Sequence, residues 1–384
     1  DTIYVGAINV GTPAQQLNVV LDSGSSDLWF ANTQCNLCPS GTPEYDSSKS
    51  SSFTSPSGSG PVSIQYGIGS VEGVLAQDTV TMAGFTVSKQ TFLSAKYVSS
   101  DILYGTAAGI MGLAFQSIAS TQALPFWQAL VKSSQFTSPQ MSFWLTRYLN
   151  NTDAQGTEPG GVLTLGGTNT TLYTGDIQSL DMPNSGEQSY WLLQLRNMTV
   201  QGNNVKIATG TAAIDTGTTL IGGPTADVKN IWAAVPNSQP MDGLMEGFYS
   251  FPCGTEVQVS LSFGGNSWPI SAADMNYSIA SYDINDNPEQ CAGGIFDLGQ
   301  VSSAEGTGGN PDWIIGDTFL KNVYTMLRSS PPSIGFAQLS TAAGSSSAAA
   351  SSSSNILGSG TAHASNPSAT GSKSSNILFA SNWY

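Results

Sequence analysis

The 384-residue sequence has one histidine, His363, close to its end. A Ser-His-Asp triad or a Cys-His pair needs a histidine within hydrogen-bond reach, and a zinc site of the HExxH kind needs two. With the end of the chain outside the fold, acid–base chemistry would fall to carboxylates, tyrosine or lysine. Basic residues are also scarce: 11 Lys and Arg stand against 26 Asp and Glu, a net charge of −15. Nucleic acid and anionic membrane surfaces both require a basic face, so neither fits as a partner. The same scarcity limits self-repulsion in acid, because protonated carboxylates leave few charges. No apolar run approaches 18 residues, so no transmembrane helix is expected. No leader is visible, and the chain opens on Asp1, which reads as a processed product or a fragment.

Only four cysteines occur: Cys35, Cys38, Cys253 and Cys291. The Cys35–Cys38 spacing is compatible with redox or zinc chemistry as well as a disulfide. A second CxxC and a partner histidine are both missing, which argues against zinc; no metal or cofactor is expected. The even count goes with four acceptor patterns for N-glycosylation, at Asn150, Asn169, Asn197 and Asn276. Together they favour disulfides in a secreted, oxidising setting.

Gly and Pro are abundant, at 42 and 19 residues, about 16% of the chain against about 12% on average. Turns and short strands are therefore expected over long helices. The length suits two or three domains, or one large all-β unit. Val62, Ile64, Tyr66 and Ile68 alternate, Gly67 and Gly69 interrupt, and Val71, Val74 and Leu75 follow, which predicts a hairpin with a glycine-rich tip. Helices are predicted after Pro125, with Phe126, Ala129 and Leu130 on one face, and after Thr225, with Val228, Ile231, Trp232 and Val235.

Residues 340–384 are dominated by Ser, Ala and Gly, and the pentad SSNIL occurs at 353–357 and again at 374–378. Such a composition buries too little apolar surface to offset chain entropy, so a disordered tail is expected. Its removal should then leave stability almost unchanged. O-glycosylation or tethering to a cell wall or membrane are open uses for it.

One internal similarity matters most. Residues 19–26 read VVLDSGSS and residues 212–219 read AAIDTGTT; each is followed later by two apolar residues and a glycine, at 110–112 and 314–316. This pattern suggests duplicated lobes, each supplying one carboxylate, Asp22 and Asp215. An apolar strand ending in Asp sets a carboxylate at the edge of a core, and the glycine after it lets another backbone come close. Two such loops face to face would share one proton, since adjacent like charges cannot both ionise. The ionised member can then deprotonate water while the protonated member polarises a carbonyl. A single Asp-Ser-Gly is ordinary turn chemistry; two in matched frames carry the argument.

These residues resemble the pepsin-like aspartic proteases, above all secreted fungal members, from Asp1 to about Leu339. The similarity rests on YVGAINVGTPAQ, DSGSSDLWF, IQYGIGS, IDTGTTLIGGP and WIIGDTFLKNVYTML. It implies an all-β, two-lobed fold, with lobes at 1–175 and 176–339 and a central cleft. It implies endopeptidase activity on proteins in acid, an extended peptide substrate, inhibition by statine-type mimics, a monomer, and no cofactor. By the same resemblance Asp22 and Asp215 activate water. Ser23 and Thr216 lock the loops together, Gly24 and Gly217 allow their approach, and Ser25 and Thr218 bond the outer carboxylate oxygens. Tyr66, Gly67 and Ile68 form the flap, Trp29 orients Tyr66, and Ile110 lies in the substrate region. The cysteines pair as Cys35–Cys38 and Cys253–Cys291.

There are departures from the family pattern. Ser23 replaces the usual Thr, and Ile68 stands where a side chain able to hydrogen-bond substrate is usual. Asp101 and Ala107 align with two aromatic walls of the S1 pocket, which implies a roomier, more acidic pocket that accepts Lys or Arg. The sequence also begins about ten residues late, so the outer strand of the interlobe sheet is expected to be missing or shortened. The competing readings are a catalytically impaired homologue that only binds, and a β-rich glycosidase with two carboxylates about 5–9 Å apart.

Overall fold

A computed structural model describes residues 3–56, 60–148, 156–183, 186–281, 289–301, 310–344 and 374–382. The first part of the chain forms strands β1 (Ile3–Val10), β2 (Gln15–Asp22), β3 (Leu28–Ala31), β4 (Pro61–Tyr66), β5 (Gly69–Met82), β6 (Phe85–Val98) and β7 (Ala107–Gly112). Pairing runs β1-β2-β7-β3-β6-β5, and β1 meets β5 again, closing a six-stranded barrel with β4 outside it. Closure leaves those strands without free edges. The alternation read at 62–75 is the β4–β5 hairpin, with Tyr66 opposite Gly69 at its end.

After helix α1 (Phe126–Lys132), strands β8 (Gln140–Leu145), β9 (Thr157–Leu165) and β10 (Tyr173–Asp181) pair with Tyr324–Ser329 and Pro332–Leu339. The expected lobe division at 175 therefore falls inside β10, within its bulge. Residues of both expected lobes share this part of the sheet. Between them, smaller sheets carry the C-terminal chemistry, and helix α2 (Thr225–Ala233) lies where its apolar spacing placed it. Strands are far more numerous than helices, as the turn-rich composition predicts.

The tail differs from expectation. Thr341–Gly344 forms a helical turn, and Ser375–Asn382 is a strand. That strand lies between β9 and β1, antiparallel to both, and joins the two halves of a 13-stranded sheet. The sheet expected to lack an outer strand is thus continuous at this place. The physical reason is local: Ile377, Leu378 and Phe379 form an apolar run with β-prone Ile and Phe, although their surroundings are not apolar. Among the described residues, 340–384 is accordingly not a uniformly disordered segment; 345–373, with His363, lies outside them.

Three distant segments meet in a buried ion cluster. Asp274 is bonded by Arg147 from the end of β8, paired with Lys321 at 3.3 Å, and accepts from Asn322 at 2.9 Å. Burial raises the Asp274 carboxyl, but the bonds from Arg147 and the charge of Lys321 together outweigh it, leaving it below the usual carboxylate value.

Candidate active site

Strand β2 is flanked by β1 and β7 and is buried through its last four residues, so Asp22 emerges from the core at a strand end. The second loop repeats this. Gly210–Ile214 runs parallel to Trp313–Ile315, and the Asp215 N–H donates to Ile315 O at 3.0 Å. Matched glycines let each loop close. A Cβ on Gly112 would overlap the Ser26 backbone, and one on Gly316 would overlap the carbonyls of Thr218 and Leu220.

The two loops interlock by reciprocal bonds. The Thr216 N–H donates to Ser23 Oγ at 2.9 Å, and the Ser23 N–H donates to Thr216 Oγ1 at 3.1 Å. Both hydroxyls then donate onward to the opposite strand: Ser23 to Ile214 O at 2.8 Å, Thr216 to Leu21 O at 2.6 Å. Ser23 keeps the complete polar role of a Thr at this place.

This lock brings the carboxyls of Asp22 and Asp215 into hydrogen-bonding contact. Each is nearly buried, at 6% and 7% exposure. Each also accepts from its own loop. Ser25 Oγ and the Gly24 N–H (2.8 Å) donate to Asp22, and Thr218 Oγ1 (2.6 Å) and the Gly217 N–H (2.8 Å) donate to Asp215. A side chain on Gly24 would overlap the Asp215 carboxylate, and one on Gly217 that of Asp22. Burial first, and the Asp215 charge next, push the Asp22 carboxyl well above the usual value; Ser25 and Gly24 oppose the shift. A pair in contact holds one proton. It is also much closer than the roughly 5–9 Å that glycosidases keep between their carboxylates.

The β4–β5 hairpin ends beside this pair. Tyr66 is half-buried and bonded to Ser25, and Trp29 Nε1 donates to its hydroxyl at 2.7 Å. Burial, then the charge of Asp22, raises the Tyr66 phenol. Gly67 and Ile68 at the tip are exposed. Trp29 is fully buried with Ile110, Ala107, Ile102 and Leu103 in one apolar cluster. Asp101 stands exposed on the turn just before Ile102.

Both disulfides join the expected cysteines, Cys35 with Cys38 and Cys253 with Cys291, and no described cysteine is free. Asn197 is exposed, Asn169 and Asn276 are partly buried, and Asn150 lies outside the described residues. No cluster of three or more metal-ligating side chains occurs among the described residues.

Two groups near the pair were not singled out by the sequence. Tyr190 is raised by burial and by the charges of Asp215 and Asp22, which places it within their field. It sits in a loop with no motif, so nothing local marks it. Asp317 follows Gly316 and opens the short helix Asp317–Leu320. It is 1% exposed, and neither carboxyl oxygen has a hydrogen-bond partner among the described residues. Burial raises it well above the usual value, Lys321 opposes this, and Asp215 adds to it. An acid inside WIIGDTFL was a visible signal.

Two interlocked Asp loops with touching carboxyls, beneath a tyrosine hairpin, define an aspartic peptidase. The family model for eukaryotic aspartyl proteases matches residues 3–339, and the chain belongs to that family. It is 43% identical to major aspartyl peptidase 1 of Cryptococcus neoformans var. grubii over 350 residues, covering 88% of this chain and 69% of that protein. Pepsin A of Sus scrofa is 31% identical over 347 residues, covering 88% and 82%. Cathepsin D of Gallus gallus is 31% identical over 347 residues, covering 88% and 81%. The chain is thus an aspartic-type endopeptidase of the pepsin-like, all-β fold.

Proposed function

We propose that Asp22 and Asp215 are the catalytic pair of a secreted endopeptidase that works in acid. The observation that carries this reading is the contact of the two carboxyls beneath the Ser23–Thr216 lock. One proton held between them leaves one carboxylate to deprotonate a water and one acid to polarise the scissile carbonyl. The water adds to the carbonyl carbon, its proton passes to the carboxylate, and the amine leaves after protonation. A statine-type hydroxyl would occupy the place of that water and bind tightly.

The peptide lies extended beneath the hairpin, whose exposed tip offers backbone groups for strand-like pairing. Tyr66, held by Trp29, covers the pair, and Ile68 adds apolar contact where it cannot hydrogen-bond. Asp101 serves an S1 pocket that accepts Lys or Arg. The enzyme acts as a monomer, and the two disulfides and the exposed sequon at Asn197 favour an extracellular setting. Low basic content supports acid tolerance.

Cleavage profiling of a diverse peptide library from about pH 2 to 7, with a polysaccharide in parallel, tests this. Peptide cleavage that rises into acid supports it. Cleavage of the polysaccharide alone, or of neither, rejects it. Asp101→Asn assayed on paired Lys and Leu substrates tests the pocket: selective loss of Lys cleavage supports it, and an unchanged ratio rejects it.

A further inference from the structure

The two Asp loops are backed by different chemistry. Behind the first, two buried indoles hold the chain. Trp191 Nε1 donates to Leu113 O at 2.8 Å, and Trp127 Nε1 donates to Ala114 O at 2.9 Å. The N–H groups of Leu113 and Ala114 in turn donate to Asp22 O at 2.7 Å and Ser25 O at 2.8 Å. No ionisable side chain takes part in these bonds.

Behind the second loop stands the short helix Asp317–Leu320. The Asp317 N–H donates to Thr218 O at 2.9 Å, and the Thr318 N–H (2.9 Å) and hydroxyl (3.2 Å) both donate to Thr219 O. Thr218 is the residue whose hydroxyl donates to the Asp215 carboxylate at 2.6 Å. The helix therefore sets where the backbone of residues 218 and 219 lies, and with it where that hydroxyl points.

The helix is held from behind by Asn322. Its Nδ2 donates to Thr318 O and to Asp274 Oδ2, both at 2.9 Å. Its Oδ1 accepts from Arg147 Nη2 at 2.9 Å and from the Ser271 N–H at 3.0 Å. These four bonds use the whole capacity of the amide. They also fix its orientation, since Arg147 can only donate and Thr318 O can only accept. Arg147 comes from just past β8, and Ser271 and Asp274 from the turn after the strand Trp268–Ile270. Asn322 thus ties the helix to two other segments at once. The frame it grips is stiff, because the Arg147 guanidinium also donates from Nε to both Asp274 oxygens, at 3.0 and 3.1 Å.

We propose that Asn322 is a positioning residue for Asp215: it clamps the short helix to the Arg147–Asp274 pair, and the helix sets the Thr218 hydroxyl against the carboxylate. This role rests on the reading of Asp215 as one of the catalytic pair. Asp22, with its own backing, does not depend on the clamp.

Peptide-cleavage kinetics near pH 3–4 on Asn322→Ala in the full chain test this. The loss of one positioning bond should lower kcat about fivefold, with KM within about twofold of the parent because the substrate contacts stay. The fall should vanish in a Thr218→Ala background, where the hydroxyl that the clamp acts through is gone, and persist in full in a Ser25→Ala background. A fall that adds equally in both backgrounds, an unchanged kcat, or a change confined to KM overturns the proposal. Arg147→Lys keeps the charge opposite Asp274 but loses the fork that holds Asn322. It should give a smaller fall in kcat with the same dependence on Thr218, and it carries the test if Asn322→Ala melts below the assay temperature. Failure of both variants to fold would make the cluster a prop of the whole fold and overturns the proposal as well. Asp215→Asn measured in parallel separates the two levels. Full activity there sinks the assignment of the pair, whereas loss there beside an indifferent Asn322→Ala sinks the clamp alone.

Discussion

The loop around Asp22 and the loop around Asp215 make nearly the same bonds in different surroundings. Each carboxylate accepts from the N–H of the glycine two residues on and from a hydroxyl three residues on. Behind each loop a matched glycine closes the turn, but the residue after it differs: Leu113 behind the first, Asp317 behind the second. The first loop has the Tyr66 hairpin over it, and the second has at its back a buried acid with no hydrogen-bond partner among the described residues. Duplicated hydrogen bonding thus fixes where the carboxyls sit, while the groups around each loop are not duplicated.

The sharpest way to break the symmetry is to wedge it. Gly24→Ala or Gly217→Ala would push a methyl into the opposite carboxylate. Peptidase kcat/KM should fall about 100-fold or more, since an ångström of misplacement costs about that much. Equal losses would mean that both loops position the pair alike. A smaller effect is expected from removing the hydroxyl donors. Ser25→Ala and Thr218→Ala should each cost about tenfold, in line with about 1.5 kcal/mol for a bond to a charged group. Ser25 holds the Asp22 carboxyl down, so its loss should also move the alkaline limb of the rate profile upward. A pH–rate series on both variants checks the sign.

Asp317 should act on stability. Its folded-state value is raised, so the native state is unpenalised while the acid is protonated in both states, and loses stability as pH rises through the usual carboxylate value near 4. Asp317→Asn should therefore melt with the parent near pH 3 and a few degrees above it near pH 7. Asp274, with its lowered value, has the opposite sign: its contribution is present above the usual carboxylate value and is lost as pH falls through the folded one. The smallest change is Ser23→Thr, which adds only a methyl to a lock already complete, and stability should move by less than about 1.5 kcal/mol.

The two loops were legible in the sequence because their chemistry is local: strand, Asp, hydroxyl and glycine follow one another, and the duplication repeats them. The β4–β5 hairpin was legible through its alternation, and both disulfides through family resemblance. Tyr190 was not, because a loop approaching from elsewhere brings it near the pair. Nor was the Asp274 cluster, whose partners come from three segments far apart in the chain. The terminal strand was missed for a different reason. Averaging 45 residues of Ser, Ala and Gly hid an apolar stretch whose pairing partners lie more than 200 residues away.

The central claim is that peptide hydrolysis needs both carboxyls sharing a proton. Asp22→Asn and Asp215→Asn each keep the shape and remove one ionisable group. The measurement is kcat/KM on an unfolded protein or peptide substrate near pH 3–4, with circular dichroism and melting to show an intact fold. Each substitution should reduce activity by about 100- to 10,000-fold, the usual worth of a general acid or base. Parent-level cleavage by either folded variant would contradict the account.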